Sequence, residues 1–321
     1  MTGPRGLYSL FRLAVGLSVL FVATAAHAQD WPRTIVHEAG ELVLEKKPEN
    51  IVSTTLSVTG TLLAIGAPVT ASAATSPNPI TDDKGFFSQW AAVADQRGVE
   101  VLYPALRFDL EAVIAADPDL VIVSTSGADS VRDHYDQLVA QGIPTMVVNY
   151  SDKTWQELAI QLAEATGLEA EAERAIAYFD AYAADQARNI SPPAGGVSIV
   201  SFNGASSDTA VAKSTGPHAQ LFEALGIDVV EAPSELDTSV QERADFAFVT
   251  FENVTAAVRG EAVFLLSGTE QTAQAFRAEP TLANLPAVRD GAVYPLGPTS
   301  FRVDYYSGIA IIDTVVEALG D

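Results

Sequence analysis

The sequence contains no cysteine, and only 18 Lys and Arg stand against 41 Asp and Glu. Without thiols there is no disulfide framework, no thiolate nucleophile and no Cys-built metal site, so stability must rest on burial. The same absence removes the attachment residue that a lipid-anchored bacterial lipoprotein carries just after its signal. A formal net charge of −23 leaves no clustered Lys/Arg footprint for nucleic acid, and it disfavours anionic membrane surfaces. Histidine is equally scarce. His27, His37, His134 and His218 are scattered without metal-ligand spacing, which argues against an imidazole-built metal site and reads as surface histidines. Enzyme signatures are missing as well: there is no G-x-S-x-G elbow, P-loop or G-x-G-x-x-G. "ITDDKGFF" (80–87) has too few ordered oxygens for a calcium loop.

The chain opens with Arg5 and Arg12 ahead of the apolar run "LAVGLSVLFVATAA" and the small-residue site "AHA" ending at Ala28. This is the layout of a cleaved secretory signal over residues 1–28. The run is short for a membrane span, although an uncleaved anchor is the competing reading. The two arginines are not adjacent, which points to the general rather than the twin-arginine export route. Cleavage leaves 16 basic against 41 acidic residues. An exported, cysteine-free chain of this kind is expected to be soluble and periplasmic.

In the mature part, short apolar runs alternate with helical stretches, the pattern of an α/β fold with a mostly parallel sheet. Strands are expected at 50–54, 69–74, 119–125 and 145–150, then at 197–203, 227–232, 246–251, 262–268 and 292–297. Helices are expected at 57–66, 108–117, 131–142, 154–167, 218–226 and 305–319, the last using Ile309, Ile312, Val316 and Leu319 as its apolar face. Between the halves, "LEAEAERAIAYFDAYAADQARNI" (168–190) has no Gly or Pro and stops at "SPPAGG". As one helix it would run roughly 35 Å at ~1.5 Å per residue. The expected organisation is therefore an N-terminal α/β lobe (29–167), a linking helix (168–190) and a C-terminal α/β lobe (191–321). One larger sheet with an ordinary crossover helix is the alternative.

A few cations and aromatics in loops remain as candidate binding groups. Arg107 lies in "YPALRFDLEAV", Arg243 in "VQERADFAFV", and Arg302 in "TSFRVDYYSG" just before the last helix, next to Tyr306. Trp90 lies in "GFFSQWAAVA". Each arginine reads equally as a surface ion pair, and Trp90 and Tyr306 equally as packing residues.

Several stretches carry a family resemblance: "DWPRTI", "NIVSTTLSVTGTLLAIGAPVTASAAT", "FFSQWAAVA", "YDQLVAQGIPTMVVNYSDKTWQ", "FENVTAAVRGE" and "TSFRVDYYS". Over nearly all of the mature chain the sequence resembles the periplasmic ferric-siderophore binding proteins, the ferric-enterobactin subgroup in particular. The resemblance implies two α/β lobes bridged by one long helix, with the ligand in a shallow cleft between them. It implies a non-enzymatic carrier, a monomer by default, that delivers a ferric catecholate to an inner-membrane ABC permease. It also implies no cofactor and no protein ligand to the metal, because the siderophore already coordinates the iron. Arginine forks and aromatic faces are then expected to meet the trianionic chelate. Arg302, Arg243, Arg107, Trp90, Tyr306 and Lys213 are the expected ligand-binding residues. Arg302 is expected to act together with the dipole at the start of the last helix.

The chain also departs from the pattern. The loop at 75–86 has only Lys84 where relatives are basic, and Arg107 is the candidate replacement. "TAVAKSTG" (209–216) lacks the relatives' pocket tryptophan, which brings Lys213 forward. The first helix offers Gly60 where many relatives have a docking glutamate, while Glu223 is the docking carboxylate expected on the second lobe. Hydroxamate siderophores, haem and cobalamin are alternative ligands within the same fold. An exported siderophore esterase is the alternative of another class, but it lacks a visible nucleophile–base pair.

Overall fold

The computed structural model describes residues 31–205, 207–239, 243 and 245–320, so the leader expected at 1–28 lies outside it. A hairpin of β1 (Arg33–His37) and β2 (Gly40–Leu44) comes first. The first lobe follows with β3 (Ile51–Ser53), α1 (Leu56–Ala64), β4 (Val69–Ser72), α2 (Ser88–Gln96), β5 (Glu100–Val101), α3 (Leu110–Ala115), β6 (Leu120–Ser124), α4 (Tyr135–Ala140), β7 (Thr145–Val148) and α5 (Trp155–Thr166). Its five strands are all parallel, in the order β5-β4-β3-β6-β7. β6 and β7 are buried along their whole length, which is why they read as continuous apolar runs rather than alternating ones.

α5 starts with a capping box, in which Thr154 Oγ1 accepts from the Glu157 amide and Glu157 accepts from the Thr154 amide. It ends at Gly167, whose φ of 64° is the left-handed stop that glycine adopts most readily. The linking helix α6 (Glu169–Gln186) then runs 18 residues and tightens into a 3-10 turn at Ala187–Asn189.

The second lobe comprises β8 (Val197–Ser201), β9 (Thr209–Ala212), α7 (Pro217–Ala224), β10 (Phe246–Val249), α8 (Val254–Ala257), β11 (Ala262–Leu265), α9 (Glu270–Ala278), α10 (Pro286–Arg289), β12 (Val293–Pro295) and α11 (Tyr305–Leu319). Its sheet, β10-β9-β8-β11-β12, is parallel across β8, β11 and β12 and antiparallel at the β9 and β10 edge. The strand expected at 227–232 reduces to one bridge, Val197 to Val229, because only Asp228 and Val230 exchange hydrogen bonds with β8.

α11 does not stay with its own lobe. It packs against α6 and against α1 and α2 of the first lobe, burying Gly308, Ile311, Ile312 and Val315. The face expected at Ile309, Val316 and Leu319 is only half-buried, since the helix is held from two sides rather than laid on one. The largest hydrophobic cluster therefore runs through both lobes, from Leu62 and Trp90 by way of Phe179 and Ile312 to Phe222 and Phe264. This shared core sets the lobes around a cleft formed where β7 ends and α11 begins.

Candidate functional site

At its C-terminal end β7 delivers Tyr150, and the turn after it delivers Lys153. The loop before α11 brings Phe301 and Arg302 to the same place. This is the edge where open parallel sheets bind ligands. Three cavities adjoin here. One of about 210 Å³ is lined by Leu56, Ser57, Asn78, Ile80, Phe87, Leu106, Asp129 and Tyr150. The next, about 260 Å³, takes Tyr150, Lys153, His218, Arg243, Phe246, Phe301 and Arg302. It shares Lys153, Arg243 and Asp245 with a third of about 590 Å³, which reaches Glu157, Gly216 and Gln220. The Phe87 and Phe301 rings meet edge-on at 5.0 Å and join the two walls.

Arg302 lies with its guanidinium carbon 4.0 Å from the centre of the Tyr150 ring. It forms no ion pair with a carboxylate among the described residues. Burial lowers its pKa, opposed by the pull of Tyr150, Asp304 and Asp129. Tyr150 is itself 9% exposed, and burial, with the nearby Asp129 charge, pushes its hydroxyl up to about 12. The hydroxyl donates to Asp129 Oδ1 at 2.9 Å.

Arg243 lines the cleft but is already forked onto Asp245, at 2.9 and 2.7 Å. Lys153 reaches Asp152 at 3.0 Å and Glu38 at 3.3 Å. The rim beside Leu106 is held in an unusual backbone: Ala105 and Leu106 have φ of 56° and 52°, a conformation that costs non-glycine residues of order 1–3 kcal/mol each.

Other expected site residues lie elsewhere. Trp90 is 1% exposed, packed on Phe86 and Phe87, so it is a core residue and presents no face to a ligand. Tyr306 points to the α2 side, near Arg97 and Tyr305, and lines none of the three cavities. Lys213 is consumed by Asp237 at 2.9 Å and by the Arg243 carbonyl at 2.8 Å. Arg107 is exposed beside the first cavity but does not line it. Lys84 turns away to Asp95. Glu223 is exposed on α7.

The amides at the start of α11 are already satisfied by the Asp304 carboxylate, which accepts from Tyr306 and Ser307, so this helix end is closed to an outside anion. His37 and His218 are not surface groups, being 7% and 4% exposed. His218 Nε2 donates to the Ser300 carbonyl at 2.8 Å. Gly60 faces inward, where a β-carbon would lie 2.7 Å from Trp90, so no side chain there could dock a partner.

Sequence reasoning missed Tyr150, Lys153, Phe301 and Asp129. In the sequence Tyr150 reads as the end of a strand. The usable signal was its position, since the first residues beyond parallel strands are where cleft groups gather.

Comparison with known proteins places this architecture. The chain is 40% identical over 312 residues, 96% of its length and 98% of the relative's, to the ferric enterobactin-binding periplasmic protein FepB of Escherichia coli O6:H1. The crystal structure of holo-ViuP superposes with a TM-score of 0.81 at 41% identity, covering 91% of this chain and 96% of that one. Staphylococcus aureus SirA, complexed with staphyloferrin B, shares the fold at a TM-score of 0.65 and 18% identity, covering 89% and 98%. The sequence profile of the family described as periplasmic binding protein matches residues 51–299, and the chain belongs to that family.

Proposed function

We propose that this protein captures a ferric catecholate siderophore in the periplasm and hands it to an inner-membrane ABC importer, without catalysing a reaction. The observation that carries the reading is Arg302, a partly buried guanidinium without an ion-paired carboxylate among the described residues, placed over the Tyr150 ring between the lobes. A chelate whose oxygens are anionic and whose rings are aromatic matches such a site, because the guanidinium edge can donate while Phe301 and Phe87 supply faces. Likeness to a protein named for ferric enterobactin binding, over nearly the full length, supports the same cargo. The siderophore supplies every iron ligand, so the protein acts on the outer oxygens alone and needs no cofactor. On this reading residues 1–28 are a removed export signal, the working form is a monomer, and Glu223 is the second-lobe docking carboxylate.

The test is quenching of tryptophan fluorescence in the purified protein during titration with ferric enterobactin, repeated with Arg302→Ala. At an effective dielectric of about 20, a charge contact near 4 Å is worth ~4 kcal/mol before desolvation. A loss of at least about tenfold is therefore expected. Saturable binding in the wild type with that loss supports the proposal. Absence of binding overturns the cargo, and ferrichrome and haem are the next ligands to titrate. Tight binding indifferent to Arg302→Ala overturns the account of the site.

A further inference from the structure

Arg302 raises a question of order. An arginine side chain has about 2 kcal/mol of rotamer freedom to lose, and a carboxylate that fixes it also neutralises it. Here the fixing surface is the uncharged Tyr150 ring, 4.0 Å from the guanidinium carbon. The guanidinium lies over the ring, and among the described residues no carboxylate pairs with its N–H groups.

The ring is in turn fixed from the first lobe. Its hydroxyl donates to Asp129 Oδ1 at 2.9 Å, and Asp129 Oδ2 accepts from Thr55 Oγ1 and from the Ser57 amide, both at 2.8 Å. Asp129 is 6% exposed, so this carboxylate has exchanged water for three protein donors. The loop before it is shaped for the contact. Gly127 has a φ of +83°, and a β-carbon there would lie 1.6 Å from the Tyr150 hydroxyl. Only a residue without a side chain lets the hydroxyl reach Asp129.

We propose that Asp129 and Tyr150 are positioning residues for Arg302: a buried carboxylate in the first lobe holds the tyrosine, and the tyrosine holds the guanidinium open toward the cleft. The inference rests on the cleft being the ligand site. It assigns a use to the Tyr150 hydroxyl, which would otherwise be a polar group spent inside the wall. It also assigns a use to a carboxylate that, placed in the wall of an anion site, is unfavourable for binding on charge alone.

The experiment compares Tyr150→Phe and Asp129→Asn, each alone and combined with Arg302→Ala, by titration with ferric enterobactin. Thermal melting confirms that each variant is folded. Removing the tie to the hydroxyl is expected to weaken binding about three- to tenfold, the range of one hydrogen bond. In the Arg302→Ala background the same changes are expected to do nothing further, because what they position is gone. A second readout is independent of cargo. In protein carrying ¹⁵N-arginine, the Arg302 side-chain signal, assigned by its loss in Arg302→Ala, should be ring-shifted in the wild type and move in both variants. The proposal is overturned if the losses persist in full without Arg302, or if the Arg302 signal is unmoved by both substitutions. Failure of the wild type to bind ferric enterobactin would remove the cargo reading, and the arginine signal would still decide the positioning.

Discussion

Replacing Gly60 by alanine sets two effects of similar size against each other. Gly60 lies inside α1, where alanine is favoured over glycine by about 1 kcal/mol. The new β-carbon, however, would sit 2.7 Å from Trp90 Cδ1, 3.2 Å from its Nε1 and 3.3 Å from Asp304 Oδ2. The first distance is well inside van der Waals contact, so Trp90 must shift. It has little room to do so: its ring is 1% exposed and lies 5.2 Å from Phe86 and 6.2 Å from Phe87. Overpacking of this kind costs typically 1–3 kcal/mol, and a hemmed indole belongs at the upper end. The net expectation is a destabilisation of about 1–2 kcal/mol, or a melting temperature lowered by roughly 2–3 °C for a chain of this size. Thermal melting by circular dichroism measures it, and in a Trp90→Ala background, which removes the obstructing ring, the Gly60→Ala change should no longer destabilise. A Gly60→Ala protein that melts at or above the wild type would refute the reasoning, because propensity would then have outweighed packing.

Three more expectations follow from particular contacts. His37 Nδ1 accepts from the Ala39 amide at 3.2 Å and the Val147 amide at 3.3 Å, and burial together with Arg132 lowers its pKa. The stability it contributes is present above its unfolded pKa of about 6.5 and is lost as pH falls through its lowered folded value. Denaturation between pH 7.5 and 5 should show a shallower acid loss in His37→Asn, which keeps an acceptor without titrating; parallel profiles would count against it. Lys213→Met should cost about 2 kcal/mol by stranding the half-buried Asp237, measured by urea denaturation, and leave chelate affinity unchanged. Weaker binding without lost stability would return Lys213 to the ligand site. Glu223→Lys should leave chelate affinity intact but lower siderophore uptake through the reconstituted importer, and undiminished uptake would exclude it from docking.

The fold was legible in the sequence wherever burial on both faces wrote a continuous apolar run, as in "DLVIVST", or where caps marked an end, as at Thr154 and Gly167. It was less legible where an element is defined by its partner. β9, read only as a stretch lacking an aromatic, is a strand because β8 and β10 flank it. The β1–β2 hairpin passed unmarked because its strands alternate weakly and Val36 and Val43 face outward, 73% and 53% exposed. For the site, loop position singled out Arg302 and Arg243, which do line the cleft. It misplaced Trp90 and Lys213, because residue type and loop position do not say which way a side chain turns. Trp90 is drawn inward by the space at Gly60, and Lys213 by a carboxylate 24 positions later in the sequence.

The acidic balance and the anion site coexist through short-range pairing. At physiological salt a charge is screened over about 8 Å, so most of the chain's 41 carboxylates do not bear on the cleft. Those nearby do. Asp245 already holds Arg243, and Asp152 and Glu38 hold Lys153, so an arriving anion must share those cations with carboxylates that have already claimed them. Arg302 differs because it lies over the Tyr150 ring and forms no direct ion pair among the described residues, although Asp304 and Asp129 are near enough to pull on it. An arginine suits that arrangement better than a lysine, whose compact ammonium has no plane to lay on the Tyr150 ring and would keep stronger hydration. A chain with few cations can therefore hold an anion by keeping one of them ordered without a direct ion pair, and the Tyr150 ring meets both conditions.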